Sequence, residues 1–186
     1  MTAPNVGNPT HPAVTNQLRL PRAAALGPGR GGQQRLLIDA PAGAAEIYLH
    51  GATVTSWVPR GGSEVIFTSR QAVFDGATAI RGGIPLCLPE FGVGINGDAV
   101  PKHGWARIAP WRLRTVTTTD GGGVRALLSV SRDRLTALYE VEVGETLRLG
   151  LSLRNEGTEP RTVEAAAHTY LSVHDVTASR ISGLAG

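Results

Sequence analysis

The sequence predicts an all-β fold, an antiparallel β-sandwich or barrel built from short strands. The first observation is that 24 glycines and 12 prolines, which interrupt regular structure, occur among 186 residues. The second is that apolar and polar residues alternate in four consecutive segments of the second half. This period of two places alternate side chains on one face of a strand. The third is that no segment of ten or more residues has the apolar spacing of a helix.

The predicted strands are short apolar runs separated by turn residues. They cover residues 45–50, 52–58, 64–68, 111–119, 124–131, 135–143, 147–153 and 162–173. Between the third and the fourth lies a glycine- and proline-rich segment, 75–110, with weak periodicity. Long irregular segments in compact domains usually carry function, so we expect the site to involve this one.

Residues 1–33 differ from the rest of the chain in composition. They contain five prolines and five glycines and have no sustained hydrophobic period. We therefore predict a flexible N-terminal tail over 1–33 and a single β domain over 34–186. Leu18, Leu20 and Leu26 are the tail residues that can dock locally.

Charge and cysteine content exclude several classes of protein. The net charge of +3 comes from three arginines among the first 33 residues, which leaves 15 basic and 15 acidic residues in the remainder. Such a neutral body lacks the clustered positive charge that nucleic-acid binding requires. No secretory signal or 18-residue apolar run is present, and the single Cys87 fits a reducing compartment. We expect a cytoplasmic protein that binds neither nucleic acid nor membrane.

Two arginines stand out within the loop-rich segment. Arg81 precedes two glycines in the run RGGIP, and Arg107 lies 26 residues later in the run HGWAR, which begins at His103. An arginine fork can hold a phosphate or a carboxylate with two parallel hydrogen bonds. Lys102, the only lysine of the chain, is either a third cation for such an anion or a solvated loop residue.

A histidine on the last predicted strand is the candidate for proton transfer. His168 shares a strand face with the small Ala166 and with Tyr170, which leaves room for a ligand beside the imidazole. The alternative is a structural histidine whose ring bonds to backbone groups between two sheets.

These motifs together resemble the glucose-6-phosphate 1-epimerases of the aldose 1-epimerase and galactose mutarotase superfamily. The matching runs are RGGIP at Arg81, HGWAR at His103 and HTY at His168, in that order. The resemblance extends from about residue 35 to Gly186. It implies an antiparallel β-sandwich of the galactose mutarotase type, of which this chain provides the N-terminal part.

The resemblance also implies roles for individual residues. His168 corresponds to the catalytic histidine, and Arg81 and Arg107 to the arginines that hold the sugar phosphate. Lys102 occupies a substrate-contacting position that is often glutamine in the family, and His103 is expected to line the same pocket. The implied reaction interconverts the α and β anomers of a hexose 6-phosphate, and it needs an acid and a base but no metal or other cofactor.

Two alternatives to this function remain open. The family's catalytic glutamate would lie beyond Gly186, so we expect a C-terminally truncated chain, which could be a non-catalytic sugar-phosphate-binding module or an inactive fragment. A full-length protein would be a monomer, whereas truncation would expose strand edges that can associate. An epimerase of unphosphorylated aldoses is the other alternative.

Glu90 would repel a phosphate unless it points away or pairs with an arginine.

Overall fold

The computed structural model describes residues 18–183. Within them lie ten strands and two short 3-10 turns, at Arg30–Gly32 and Ala106–Ile108. The strands are β1 (Ala24–Pro28), β2 (Gln34–Ala40), β3 (Gly43–Tyr48), β4 (Thr53–Pro59), β5 (Leu86–Cys87), β6 (Arg112–Thr118), β7 (Val124–Arg132), β8 (Leu135–Val143), β9 (Leu147–Asn155) and β10 (Ala166–Ala167). No helix in the described part of the chain is long and apolar enough to cross a membrane.

The strands form two four-stranded antiparallel sheets and one short pair. The first sheet has the order β1-β2-β3-β4, the second has the order β6-β7-β8-β9, and β5 pairs with β10. Alternate residues of β7 and β8 are buried, as the period of two predicts. The four strands predicted between residues 111 and 153 are therefore confirmed, with end shifts of only one or two residues.

One hydrophobic core joins the two sheets. Leu36 and Ile47 from the first sheet and Leu128 and Val141 from the second are all fully buried in the same cluster. Burial of such side chains is the main favourable contribution to folding. The predicted all-β, antiparallel sandwich is thus confirmed.

The predicted strands at 64–68 and 162–173 are wrong as continuous strands. Ile66 and Leu171 form an isolated bridge, and only Ala166–Ala167 is a regular strand within the second range. The carboxylate of Glu64 accepts hydrogen bonds from the backbone N–H groups of Trp57 and Ile66, both at 2.9 Å. The backbone of residues 65–68 also bonds to separate segments, with the Phe67 N–H donating to the Tyr170 carbonyl and Thr68 bridging Gly82, so alternation in the sequence does not produce a continuous ladder.

The tail prediction is wrong for residues 24–33. Strand β1 pairs with β2 from Ala24 opposite Ile38 to Pro28 opposite Gln34, and the turn that follows returns the chain to β2. Proline and glycine suggested a loose segment, but an edge strand tolerates a proline at its end because its outer N–H groups need no partner. Leu20 packs against the core, as the sequence suggested it could. Residues 1–17 of the predicted tail lie outside the described residues.

Candidate active site

A cleft of about 420 Å³ opens beside the β5-β10 pair. Four of the predicted site residues line it: Arg81, His103, Arg107 and His168. The remaining lining residues are Gln71, Val73, Thr78, Ala79, Ile80, Pro85 and Tyr170. The fold therefore brings the RGGIP run and the HTY run, which are far apart in the sequence, to the same cleft.

Two glycines determine how Arg81 enters the cleft. Gly82 has a φ of 103° and Gly83 a φ of 73°, a region that disfavours residues with a side chain. The Gly83 N–H donates to the carbonyl of Phe67 at 2.8 Å, and a Cβ at Gly83 would crowd the carbonyl of Val54. The chain can thus turn tightly against β4 and leave the Arg81 side chain exposed on the cleft wall.

Arg107 approaches the cleft from the short turn Ala106–Ile108. Its Nη2 donates to the carbonyl oxygen of Lys102 at 2.8 Å. Its Nε is buried and has no hydrogen-bond partner within residues 18–183. A buried guanidinium donor without a partner is costly, and an anion in the cleft could satisfy it.

The Lys102 side chain is exposed and does not line the cleft. Its contribution to the site is the carbonyl group that holds Arg107. The chain turns sharply just after Lys102, because His103 has a φ of 65° and Gly104 a φ of 69°. This turn carries the backbone carbonyl of Lys102 toward Arg107 and leaves the ammonium group in solvent.

The two cleft histidines lie close together. Their ring centroids are 6.0 Å apart with nearly perpendicular planes, and His168 stacks on Tyr170 at 5.0 Å. The His168 backbone N–H donates to the carbonyl of Pro85 at 2.9 Å, which ties it to the segment that follows Arg81. The imidazole therefore lies within the cleft rather than between the two sheets.

The hydrogen bonds of His103 determine its tautomer. Its Nδ1 accepts a hydrogen bond from the Gly92 N–H at 3.1 Å, so the proton of the neutral ring resides on Nε2. Burial lowers the pKa of His103, and the nearby charges of Arg107, His168 and Lys102 lower it further. His103 is therefore a neutral donor at pH 7, next to a second histidine.

Several residues that hold the cleft wall were not predicted from the sequence. His50 Nε2 donates to the Thr78 carbonyl at 2.9 Å. The Asp75 carboxylate accepts from the Ala77 and Thr78 N–H groups and from the Thr78 hydroxyl, which lowers the pKa of Asp75 to about 2. An aspartate that bonds to the backbone two residues later is a recognisable turn signal, and it could have identified this contact.

Acidic residues are kept out of the cleft. Glu90 lines a separate cleft of about 350 Å³, together with Asp98 and Glu164. Glu164 also accepts a hydrogen bond from the Phe91 N–H at 3.2 Å. Glu90 therefore does not oppose an anion beside Arg81. Across residues 18–183 no group of three or more His, Cys, Asp or Glu side chains could hold a metal ion.

The fold is that of the mutarotase class of β-sandwich proteins. The chain superposes on the crystal structure of YeaD from Salmonella typhimurium, titled a "putative mutarotase", with a TM-score of 0.75 and 28% identity. The alignment covers 85% of this chain and 54% of YeaD. Residues 34–185 match the profile of the aldose 1-epimerase family, and the chain belongs to that family.

Two sequence relatives of the chain carry the same name. A protein of Escherichia coli K12 is 32% identical over 158 residues, which are 80% of this chain and 52% of that protein. A protein of Cenchrus ciliaris is 35% identical over 157 residues, which are 75% of this chain and 47% of that protein. Both are named "Putative glucose-6-phosphate 1-epimerase". The chain spans about half the length of these relatives.

Proposed function

We propose that the cleft binds a hexose 6-phosphate and that the chain provides the phosphate-holding arginines and the general acid of an isomerase that interconverts its α and β anomers. The observation that carries this proposal is the position of Arg81, Arg107 and His168 on one cleft. The names of the relatives support glucose 6-phosphate as the substrate. The reaction opens and recloses the sugar ring by proton transfer without net oxidation or reduction, so it requires no cofactor.

The two arginines would hold the phosphate group. Arg81 is exposed to an incoming ligand, and Arg107 offers a buried Nε without a partner. A phosphate oxygen can accept from both guanidinium groups, and hydrogen bonds to charged groups contribute about 1.5–3 kcal/mol each. The neutral His103 would add an uncharged N–H donor for a sugar oxygen.

His168 would act as the general acid. In ring opening, a base removes the proton of the anomeric hydroxyl, the C1–O5 bond breaks as C1=O1 forms, and His168 donates its proton to O5. The aldehyde then rotates about C1–C2, and the reverse proton transfers close the ring on the other face. A positioned acid or base typically accelerates a reaction about 100-fold to 10,000-fold.

The base is not among the residues that line the cleft. Among residues 18–183 no carboxylate lines the cleft, although ring opening needs a base as well as an acid. This observation also favours a second candidate function, a sugar-phosphate-binding module without turnover. Binding of the ligand and its conversion must therefore be measured separately.

Freshly dissolved α-glucose 6-phosphate provides the test of the proposed activity. Anomerisation is followed by polarimetry or NMR with the chain present and with buffer alone, and binding is measured by calorimetry. Catalysis requires a rate above buffer that falls on His168→Gln; a rate equal to buffer contradicts it. Binding that weakens on Arg81→Ala without turnover supports the binding module. Equal affinity for glucose and for its 6-phosphate would indicate an epimerase of unphosphorylated sugars.

We also propose a cytoplasmic location and no nucleic-acid partner. Cys87 is a buried free thiol, which supports a reducing environment.

Strand β9 is an edge of its sheet, and Leu153 on it is 38% exposed. Such an edge supports self-association of this chain, and a size measurement by light scattering at two protein concentrations would detect it.

A further inference from the structure

One wall of the cleft is a loop without regular structure. We name residues 69–81 the wall loop; it is closed at its base by the Ser69 N–H, which donates to the Arg81 carbonyl at 3.1 Å. It supplies six of the eleven cleft-lining residues: Gln71, Val73, Thr78, Ala79, Ile80 and Arg81. A loop with no ladder of its own depends on contacts with the rest of the molecule for its shape.

A single side chain from outside the cleft makes several contacts to the start of the wall loop. The guanidinium of Arg30 donates from Nη1 to the carbonyl of Ser69 at 3.4 Å. Its Nη2 donates to the carbonyls of Arg70 at 3.0 Å and Ala72 at 3.3 Å. Its Cζ lies 4.3 Å from the centroid of the Phe74 ring, a cation-π distance. Arg30 therefore contacts four residues of the loop at once.

Arg30 is itself fixed to the scaffold. Its backbone N–H donates to the hydroxyl of Tyr48 at 2.8 Å, and Tyr48 is fully buried at the end of β3. The Tyr48 ring packs against Phe74 with 4.8 Å between centroids. The turn between β1 and β2, the first sheet and the wall loop thus meet at one cluster.

The chemistry of these contacts is specific to arginine. A guanidinium presents five donors in one plane and can serve three carbonyls while its face covers an aromatic ring. A lysine ammonium at this position is a compact point charge on a flexible stem and does not match this arrangement. Arg30 forms no ion pair within the described residues, so its contacts here are to backbone carbonyls and a ring.

We propose that Arg30 is a positioning residue for the cleft: it orders the wall loop and thereby places Arg81 for the phosphate. Arg30 does not line the cleft, so it acts only through the loop. This inference rests on the proposed function for the identity of the ligand. The ordering of the loop itself can be measured without any ligand.

The first experiment measures loop order and ligand affinity separately in the 186-residue chain. Amide hydrogen exchange of residues 69–81 and calorimetric binding of glucose 6-phosphate are compared among wild type, Arg30→Ala, Arg30→Lys and Arg60→Ala. Arg60 is the matched control, because it is exposed, lies on neither the loop nor the cleft, and removes the same charge.

Arg30→Ala should accelerate exchange in the wall loop about tenfold and weaken glucose 6-phosphate binding by a similar factor. Arg30→Lys should resemble it, and Arg60→Ala should resemble wild type. Unchanged exchange in the loop, or faster exchange spread equally over both sheets, would overturn the inference. So would faster exchange in the loop with unchanged affinity. A wild-type chain that binds no glucose 6-phosphate contradicts the proposed function, and the exchange data then still decide whether Arg30 orders the loop.

A pair of neighbouring glycines provides a second test. Gly31 and Gly32 have φ values of 62° and 72°, so alanine costs similar backbone strain at either position. A Cβ at Gly31 would collide with the carbonyl of Phe74, whereas a Cβ at Gly32 meets nothing within 4 Å. Gly31→Ala should therefore accelerate exchange in the wall loop, and Gly32→Ala should not. Equal exchange in the two variants would contradict the coupling between this turn and the loop.

Discussion

The sheet of β6 to β9 and the segment 60–111 are built on different principles. Along β7 and β8, nine consecutive residue pairs lie in unbroken register, and alternate side chains are buried. Segment 60–111 carries nine of the eleven cleft-lining residues, and its only named strand is the two-residue β5. Segment 60–111 also contributes buried core residues, among them Ile84, Leu86 and Trp105, but it is the region that carries most of the cleft.

The interactions that hold the two regions differ accordingly. The sheet is held by a hydrogen-bonded ladder and by apolar burial, contributions that are spread over many residues. The cleft side shares in the apolar burial, but its walls are also held by single contacts such as His50 to the Thr78 carbonyl, and by close backbone approaches at Gly83 and Gly104. Substitutions in the sheet should therefore change global stability. On the cleft side, substitutions at close backbone approaches should also change stability, whereas substitutions of exposed cleft-lining side chains should change affinity.

The largest effect should come from the sheet. Leu128 on β7 is fully buried, and Leu128→Ala leaves a cavity that should cost about 2–5 kcal/mol in the free energy of unfolding. Leu138→Ala on β8, where the side chain is 39% exposed, is the control and should cost about 1 kcal/mol or less. Denaturant unfolding followed by circular dichroism measures both. Equal losses would contradict the division of roles between core and surface.

A glycine of the cleft side should have the second largest effect. Gly104 and Gly97 have φ values of 69° and 78°, but a Cβ collides with the carbonyl of Leu88 only at Gly104. Gly104→Ala should cost about 2–4 kcal/mol, the sum of positive-φ strain and overpacking, and Gly97→Ala about 1–2 kcal/mol. The same unfolding measurement applies. If both variants lose equal stability, the close approach at Leu88 is not what requires glycine.

Arg81→Ala should leave stability nearly unchanged and act on affinity. Loss of one charged hydrogen-bonding group should weaken glucose 6-phosphate binding about 10-fold to 100-fold. Arg81→Lys should be intermediate, because an ammonium cannot form the bidentate contact. Calorimetry with glucose as the second ligand provides the control. If Arg81→Ala weakens binding of glucose as much as that of its 6-phosphate, Arg81 does not contact the phosphate.

The same contrast explains which parts of the structure could be predicted from the sequence. Strands β6 to β9 were predicted because alternation is a local property of the chain. Strand β1 was missed because its pairing depends on β2 and not on its own glycine- and proline-rich composition. The segment 162–173 alternates but pairs regularly only at Ala166–Ala167, because its other contacts are isolated bridges and single bonds.

The residues of the site also divide into those that the sequence predicted and those that it could not predict. The residue types and the family resemblance predicted Arg81, Arg107, His103 and His168, which meet at one cleft, whereas the Lys102 side chain lies outside it. The contacts of Arg30 were not predictable, because they run to backbone carbonyls about 40 positions away. Every residue type has a backbone carbonyl, so a hydrogen bond to that carbonyl does not require a particular residue at the acceptor position. Sequence patterns therefore cannot predict such a contact.

The smallest expected effect is a pH dependence that arises on the cleft side. Burial and the charges of Arg107, His168 and Lys102 lower the pKa of His103 in the folded protein. As pH falls below about 6.5, the unfolded chain therefore binds this proton more readily than the folded chain does, and stability declines. His103→Asn removes the titrating imidazole and introduces a residue that tolerates positive φ. The other histidines are the same in both proteins, so their titration cancels in the comparison. Wild type should lose more unfolding free energy between pH 7.5 and pH 5.5 than His103→Asn does. Equal losses would mean that His103 titrates alike in the folded and unfolded states, which would remove the basis for a neutral donor in the cleft.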